Sequence, residues 1–259
     1  MGVTAGDFDN DGDEDLFMTH LDRESNTLYL NDGSANFHDA TDRFRLGRVS
    51  LPYTGFGSEW FDYDNDGDLD LFVANGAVKI EEDQRGEPYP YREKNQLVRN
   101  DGPDGFTDVS AAAGPALALQ EVSRGAAFGD IDNDGDVDIV VANNNGPVRL
   151  LRNEATDTNH WMTVKLQGSR TNRDGLGARV GLLRKDSVAL WRRVHTDGSY
   201  VSANDPRVHF GLGDDTEVEG VLVTWPGGDS EVWRDIVIDT LQVLQQGSGE
   251  SWKTATESP

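Results

Sequence analysis

Three copies of one nonapeptide decide how this chain folds: Asp7-Phe-Asp-Asn-Asp-Gly-Asp-Glu-Asp15, Asp62-Tyr-Asp-Asn-Asp-Gly-Asp-Leu-Asp70 and Asp130-Ile-Asp-Asn-Asp-Gly-Asp-Val-Asp138. Aspartate occupies positions 1, 3, 5, 7 and 9 of every copy, and glycine occupies position 6. The first aspartates of successive copies lie 55 and 68 residues apart. Because an internal repeat indicates a series of similar structural units, the nonapeptide predicts an array of such units.

A hairpin signal accompanies the repeats. Each nonapeptide continues into a short apolar segment, and further along the chain an apolar stretch leads to an Asn-Asp-Gly turn or its remnant. The apolar segments are Leu16–Met18, Leu71–Val73 and Ile139–Val141, and the turn patterns are Asn26–Gly33 leading to Phe37, Asn95–Gly102 leading to Phe106, and a shortened Val148–Asn153. Asp and Gly tolerate the positive φ angles of tight hairpins, so the sequence predicts small all-β units.

Five carboxylates within nine residues repel one another unless a cation lies between them. Calcium fits this pattern, because it accepts six to eight oxygens at about 2.3–2.6 Å and is often held by a loop that donates at alternate positions. Zinc would need His or Cys, and magnesium keeps more of its water. We assign side-chain ligation to positions 1, 3, 5 and 9 and a backbone carbonyl to position 7. The three predicted calcium sites comprise Asp7, Asp9, Asp11, Asp13, Asp15, Asp62, Asp64, Asp66, Asp68, Asp70, Asp130, Asp132, Asp134, Asp136 and Asp138.

An EF-hand shares the alternating aspartates and the glycine, but it closes with a glutamate at position 12. Position 12 here is Met18, Val73 or Val141, inside the apolar segments, so the sequence favours a strand-loop-strand hairpin around the ion. One plainer interpretation is that the loops are solvated acidic turns, which three identical copies disfavour. Another is that the metal serves only as a structural staple, and this is the role that we expect.

Composition narrows the class of protein. The chain has 259 residues, with 47 acidic against 23 basic side chains and a net charge of −24, which argues against a nucleic-acid partner. No apolar run approaches the roughly 18 residues that cross a bilayer, and the N-terminus lacks the basic start and apolar stretch of a signal peptide. The absence of cysteine excludes disulfides, thiolate metal sites and Cys nucleophiles.

The negative charge is concentrated in the first part of the chain. Residues 1–155 hold 32 acidic and 12 basic side chains, a balance of −20, whereas residues 156–259 hold 15 and 11, a balance of −4. This asymmetry predicts two domains with different roles. The second part contains a modest basic cluster of Arg179, Arg184, Lys185, Arg192 and Arg193. We interpret this cluster as a solvated strand face or as a surface for an acidic partner or a polysaccharide.

The first part resembles the FG-GAP or VCBS repeat, the blade unit of integrin-type β-propellers. The resemblance rests on the nonapeptides, on the apolar strands around them, and on Phe56-Gly57 and Phe128-Gly129, with Ala5-Gly6 at the first copy. It implies blades arranged radially about a channel, with a calcium loop on one rim of each. Known propellers close with about four to eight blades. We therefore expect that Met1 is not the native start, and that further blades and an export signal precede it.

The second part resembles the ASPIC/UnbV domain. The matching segments are His160–Leu166, Asn172–Val180, Gly198–Ser202, Asn204–Gly213 and Val223–Gly228. Propeller repeats followed by this domain are typical of the cartilage acidic protein family and its bacterial relatives. Family members are typically exported, and the animal ones carry a cysteine-rich EGF-like module. A sequence without cysteine is expected to be a bacterial-type member.

Together these patterns predict an all-β protein. We expect a partial FG-GAP/VCBS β-propeller over residues 1–155, a β-rich ASPIC/UnbV domain over 156–250, and a flexible tail over 251–259. Loops of this kind that bind calcium weakly need about 10⁻⁴–10⁻³ M calcium, which the cytoplasm lacks. We therefore expect a secreted, periplasmic or cell-surface location.

Three functions are compatible with this architecture. The leading one is non-enzymatic binding or adhesion to an extracellular protein or glycan. The alternative is a polysaccharide-active enzyme that uses the propeller channel or the cleft between the domains, and the third is a structural spacer. No nucleophile elbow or recognisable catalytic order of residues is visible in the sequence, which favours binding.

Overall fold

The fold is described from a computed structural model. It covers residues 1–79, 91–154, 158–185 and 187–252. Within these ranges the helices are short: α1 (Leu46–Ser50) and two single 3₁₀ turns (Gly102–Asp104 and Pro115–Ala118). None of the described helices is long and apolar enough to cross a bilayer. The all-β prediction is confirmed, whereas most of the predicted flexible tail lies outside the described residues.

The first part of the chain forms three successive antiparallel sheets. Its strands are β1 (Val3–Gly6), β2 (Asp15–Met18), β3 (Thr27–Asn31), β4 (Phe37–Asp39), β5 (Gly55–Phe61), β6 (Asp70–Asn75), β7 (Glu93–Lys94), β8 (Gln96–Asn100), β9 (Phe106–Asp108), β10 (Gln120–Glu121), β11 (Ser123–Gly129), β12 (Asp138–Asn143) and β13 (Arg149–Leu151). Blade 1 has the order β1-β2-β3-β4, blade 2 the order β5-β6-β8-β9, and blade 3 the order β11-β12-β13. Strands β7 and β10 pair separately and link blades 2 and 3.

Each nonapeptide connects the first two strands of its blade. The strand register places Gly6 opposite Asp15, Phe61 opposite Asp70, and Gly129 opposite Asp138. The segments after the loops are therefore strands, and the strand-loop-strand prediction holds. The two Asn-Asp-Gly patterns form the predicted hairpins β3–β4 and β8–β9. The shortened third pattern supplies β13 alone, and the described part of blade 3 has no fourth strand.

The innermost strands β1, β5 and β11 lie side by side. A glycine lies five residues before the first loop aspartate in each blade: Gly2, just before β1, Gly57 in β5 and Gly125 in β11. A Cβ on Gly2 would lie 2.2 Å from the carbonyl oxygen of Phe56, and one on Gly57 would lie 2.8 Å from the backbone nitrogen of Ala126. These glycines let neighbouring blades approach closely at the centre.

The two Phe-Gly pairs are not structurally equivalent. Gly129 faces the last loop aspartate of its blade, and the residue at that register in blade 2 is Phe61. Gly57 corresponds instead to Gly125, in the middle of the innermost strand. The two Phe-Gly pairs on which the resemblance rests therefore lie at different positions along the innermost strands of their blades.

Apolar side chains fill the spaces between the blades. Between blades 1 and 2 the rings of Phe8 and Trp60 stack with centroids 5.4 Å apart, and between blades 2 and 3 Phe72 meets Phe128 at 5.9 Å. Every residue of β5 and β6 is buried, because blade 2 has a neighbour on both faces. Burial of such rings is the main favourable contribution to this packing.

The second part forms two sheets around its own core. Its strands are β14 (His160–Gln167), β15 (Arg179–Arg184), β16 (Leu190–Arg193), β17 (Val208–Gly213), β18 (Val218–Thr224), β19 (Ser230–Trp233), β20 (Thr240–Gln245) and β21 (Glu250–Ser251). The sheet orders are β17-β14-β20, with β14 and β20 parallel, and β16-β15-β18-β19-β21. Met162, Val180, Phe210, Val221 and Trp225 are buried between the sheets. The predicted domain boundary at residue 155 falls between β13 and β14, outside the described residues.

Candidate metal centre

The three nonapeptides fold into the same loop, here called loop 1 (7–15), loop 2 (62–70) and loop 3 (130–138). The asparagines at position 4 have φ angles of 57°, 57° and 61°, and the glycines at position 6 have 98°, 96° and 97°. The carboxylate at position 1 accepts the N–H of position 6 at 3.1, 2.8 and 3.2 Å. Asn and Gly are the residues that tolerate left-handed backbone, so the repeated Asn and Gly explain why the loop closes identically three times.

Carboxylates converge within every loop. Asp7, Asp9 and Asp11 each offer an oxygen within 4.8 Å of the other two, and so do the equivalent Asp62, Asp64 and Asp66 in loop 2. Loop 3 brings together Asp130, Asp132 and Asp138 instead. Oxygens on opposite sides of a calcium ion lie about 4.6–5.2 Å apart, twice the usual bond length. Each cluster is therefore of a size that could hold a metal ion.

The aspartate at position 9 has a second role in the fold. Asp15, Asp70 and Asp138 are each at most 2% exposed. In each blade one of its oxygens accepts the backbone N–H of an asparagine at the end of the third strand or two residues after it, at 2.8, 2.8 and 2.9 Å. Position 9 thus ties the loop to the hairpin that follows it. Whether it also ligates through its other oxygen, as assigned from the sequence, stays a prediction.

The aspartate at position 7 bonds to the neighbouring blade. Asp68 accepts a hydrogen bond from the Asn10 side-chain amide at 3.0 Å, and Asp136 accepts one from the Asn65 amide at 2.9 Å. The position-4 asparagine of one loop therefore donates to the position-7 aspartate of the next. This geometry supports the assignment of position 7 to backbone rather than side-chain ligation.

Several carboxylate oxygens of the loops are buried without a hydrogen-bond partner. Among the described residues, Asp7 Oδ1, Asp15 Oδ2 and Asp64 Oδ1 are buried and accept no hydrogen bond. Burial raises the pKa of Asp15 to about 8 and that of Asp62 to about 8, and it raises the pKa of Asp7 to about 6 against the opposing effect of Arg192. A buried carboxylate with no partner is costly, so these oxygens fit a bound cation.

The second domain covers the rim formed by the three loops. Arg179 Nη2 donates to the carbonyl oxygen of Gly12 at 2.5 Å, and Arg192 Nη2 donates to that of Gly67 at 3.2 Å. Arg193 Nε donates to the Glu14 side chain at 2.9 Å, next to the last aspartate of loop 1. For these three members, the predicted acidic partner of the basic cluster is the propeller of the same chain.

The other two members of the cluster stay on the second domain. Arg184 donates to the carbonyl oxygen of Val188, and Lys185 pairs with Glu217. They fit the simpler interpretation of a solvated strand face.

Side chains of the second domain contact the position-4 asparagine of every loop. The contacts are Arg192 Nη1 to Asn10 Oδ1 at 3.2 Å, His209 Nε2 to Asn65 Oδ1 at 2.6 Å, and Arg207 Nη1 to Asn133 Oδ1 at 2.6 Å. Sequence reasoning missed Arg207 and His209. The available signal was the invariant asparagine at position 4, which the metal alone does not require.

His209 is a neutral donor at this interface. Its other ring nitrogen lies 3.2 Å from the hydroxyl of Thr163. Burial lowers the pKa of His209 to about 4, and the nearby Arg192 and Arg207 act in the same direction. The imidazole therefore stays uncharged at neutral pH and donates through Nε2 to the loop amide.

The segment between β16 and β17, residues 194–207, runs along the innermost strands and is called the axial segment. Tyr200 packs edge-on against Phe56 with ring centroids 4.8 Å apart. The Asn204 amide donates to buried Glu59 at 2.6 Å, and the Asp205 N–H donates to the Phe128 carbonyl at 3.0 Å. A cavity of about 120 Å³ remains beside it. The space along the inner strands is thus largely occupied by the chain itself.

This combination of blades, acidic loops and a capping β-domain defines the class of protein. Residues 7–73 and 89–141 match the FG-GAP-like repeat family, and residues 168–251 match the family described as ASPIC and UnbV. The chain therefore combines FG-GAP-like repeats with an ASPIC and UnbV domain that follows them, as its sequence motifs predicted.

The chain is also similar in sequence to individual proteins of known name. Cartilage acidic protein 1 of Homo sapiens is 28% identical over 234 residues, which cover 88% of this chain and 33% of the human protein. The proteins of the same name from Mus musculus and Xenopus tropicalis are also 28% identical, each with 34% of its length covered. The chain spans about a third of the length of these relatives. The resemblance to the cartilage acidic protein family is confirmed.

Proposed function

We propose that each loop binds one calcium ion and that the chain acts outside the cell as a non-enzymatic binding module for a protein or a glycan. The observation that carries the proposal is the convergence of three carboxylates in each of the three loops, with buried oxygens in loops 1 and 2 that accept no hydrogen bond. The similarity to cartilage acidic protein 1 supports an extracellular location, where calcium is abundant enough for loops of modest affinity.

Calcium is favoured over other metals by the donors. The clusters offer carboxylate oxygens, and the described residues place no His or Cys among them. Flexible, oxygen-rich sites suit calcium, whereas magnesium demands a tighter octahedron and zinc prefers nitrogen and sulfur. The ion would hold the ends of the two innermost strands of each blade together, which makes it a structural staple.

Partner binding is best placed away from the rim and the axis. The second domain covers the loops, and the axial segment occupies the inner strands. Among the described residues, strand β4 and the connection over residues 144–148 are exposed. Rigid scaffolds commonly present binding residues on such connections.

A polysaccharide-active enzyme receives no support from a specific observation. A substrate chain in the propeller channel would need the space that the axial segment fills, and the remaining cavity of about 120 Å³ is small beside the roughly 300–1,000 Å³ of typical ligand pockets. The site geometry thus favours binding over catalysis.

Calcium titration of the full chain by calorimetry tests the proposal. We expect three ions per chain and a melting temperature that falls by about 10 °C or more in chelator, because each site filled at a hundred times its Kd adds about 2.7 kcal/mol of stability. Fewer than two bound ions, with melting unchanged by chelator, would contradict it. A glycan array and an assay for new reducing ends, run on the calcium-loaded protein, distinguish binding from cleavage.

A further inference from the structure

The second domain contacts different atoms of the loops from those that would bind the metal. The arginines of the second domain donate to the backbone carbonyls of Gly12, Gly67 and Asp130 at 2.5, 3.2 and 2.5 Å. Their remaining loop contacts go to asparagine side chains, to the backbone carbonyl of Asp7 and to the Glu14 side chain, which lies outside the carboxylate clusters. A filled loop can therefore also bind the second domain, because the two sets of contacts do not compete for oxygens.

The interface leaves no room for the loops to change shape. A Cβ on Gly211 would lie 2.1 Å from Asp62 Oδ2 and 2.4 Å from the Asn65 carbonyl carbon. On the other side, a Cβ on Gly135 of loop 3 would lie 2.0 Å from the Trp161 ring. Backbone contacts this close require one loop conformation, and the Gly213 N–H bonded to the Asn65 carbonyl at 2.7 Å adds to that requirement.

Without a cation, this conformation of the loops has a higher free energy. Each confines five aspartates within nine residues and brings three of their carboxylates together, and among the described residues loops 1 and 2 hold buried carboxylate oxygens that accept no hydrogen bond. A cation stabilises the loop fold directly, since the folded loop binds it and the disordered loop does not. The loop shape that the second domain contacts is therefore the shape that the metal stabilises.

We propose that docking of the second domain depends on the metal: filled loops keep the axial segment against the inner strands, and metal removal releases it. The inference rests on the proposed calcium binding, and it assigns the second domain the role of a metal-dependent cap. Release would uncover the inner strands around Phe56 and Glu59, which the axial segment covers through Tyr200 and Asn204.

Hydrogen exchange of the full chain, in saturating calcium and in EGTA, tests the coupling. The amides of Asp205 and Phe128 report docking, because each bonds across the two parts of the chain at 3.0 and 3.1 Å. Strand β18 reports the core of the second domain. In EGTA we expect exchange across the axial segment to accelerate by about 100-fold while β18 changes by less than about threefold.

A charge-neutral variant tests the reciprocal effect. Gly211→Ala inserts a methyl group against loop 2, and Gly47→Ala, in α1 and away from the rim, is the matched control. Coupling between two binding events is mutual, so Gly211→Ala should weaken calcium binding by about 10-fold and expose the axial segment even in calcium. The control should leave both unchanged.

Two results would overturn the coupling while calcium binding itself stands. One is an axial segment that stays equally protected after calorimetry shows that calcium has been removed. The other is a Gly211→Ala protein whose axial segment exchanges freely while its calcium affinity matches that of the wild type. Failure to bind calcium at all would appear in the calorimetry and would remove the proposed function together with this inference.

Discussion

Loops 2 and 3 contain the same aspartates but lie in different surroundings. Asp62 of loop 2 is 3% exposed, and its loop is enclosed by blade 3 and by the second domain. In loop 3 Asp132 and Asp134 are exposed, and Arg152 lies on both, with nitrogens 3.0 and 3.5 Å from their carboxylates. The equivalent arginine of blade 2, Arg99, pairs with Asp101 instead, at 2.8 Å.

The comparison indicates that the aspartates of a loop determine which atoms can bind calcium, and that the residues around the loop determine how tightly calcium binds. Loop 2 contains Asp64, which has a buried oxygen without a hydrogen bond, whereas two carboxylates of loop 3 already pair with the guanidinium of Arg152. We therefore expect loop 2 to bind calcium tightly and to lose the most stability without it. Loop 3 should bind more weakly, because calcium must displace or coexist with a positive charge.

Replacing the first aspartate of each loop should give the largest difference. In calcium, Asp62→Asn should lower the free energy of unfolding by about 3 kcal/mol, the contribution of one filled site, and Asp130→Asn by about half as much. In chelator both penalties should shrink to about 1 kcal/mol or less, because no metal is lost and one buried charge is removed. Melting curves of both variants measure this, and equal losses in calcium would refute the ranking.

The metal-free protein should become less stable as the pH rises from about 4 to 8. The folded pKa values of Asp15 and Asp62 are raised to about 8, from 3.8. A carboxyl with a raised folded pKa binds its proton more tightly when folded, so its stabilising effect is complete below pH 3.8 and is lost as the pH rises through 8. Calcium reverses the trend, since binding it releases these protons and strengthens with pH.

Calorimetry at pH 5 and pH 8, in chelator and in calcium, tests the pH prediction. The melting temperature without metal should be lower at pH 8, and the gap to the calcium-loaded protein should widen. Asp62→Asn separates the local effect from the repulsion of a chain with net charge −24, because it should flatten the metal-free slope. A metal-free protein that is more stable at pH 8 would contradict the burial of these carboxylates.

The sequence predicted the loops and hairpins because their information is local. Alternating aspartates, the glycine at position 6 and the Asn-Asp-Gly turns each constrain a few consecutive residues, and the structure forms them where expected. The second domain and its strand-rich fold followed from motif order. Local chemistry therefore gave the fold and the clusters of Asp7, Asp62 and Asp130 with their neighbours.

The contacts across the rim could not be predicted in the same way. Arg152 and Arg99 each precede the asparagine that bonds to position 9, and only the tertiary structure shows that Arg152 pairs with carboxylates of loop 3 whereas Arg99 pairs with Asp101. Arg192 lies 125 residues after Gly67 in the sequence, and Arg207 lies 77 residues after Asp130. No local pattern encodes such pairings, although the repeated asparagine at position 4 indicates that something beyond the metal selects it.

Removing the positive charge of Arg152 should increase the calcium affinity of loop 3. Arg152→Gln takes away the positive charge beside Asp132 and Asp134, and we expect the weakest of the three calcium affinities to improve by about 10-fold, an effect of about 1.4 kcal/mol. Arg149→Gln is the matched control, because Arg149 lies three residues before Arg152 and pairs with Glu121 at 2.6 Å, away from the loop. Calcium titration of both variants measures the change, and an unaltered weakest site in Arg152→Gln would remove the distinction between loops 2 and 3.

The smallest effect should come from the position-7 aspartates. Asp68 and Asp136 accept hydrogen bonds from the asparagines of neighbouring loops, and asparagine in their place still offers an acceptor oxygen. Asp68→Asn and Asp136→Asn should therefore change calcium affinity by about threefold or less, through lost charge alone, and the free energy of unfolding by about 0.5–1 kcal/mol. Asp64→Asn, a change of the same chemistry at a converging position of loop 2, should weaken binding far more. If Asp68→Asn weakened binding as much as Asp64→Asn, position 7 would be a side-chain ligand, and the hydrogen bond between blades would have to give way whenever the metal binds.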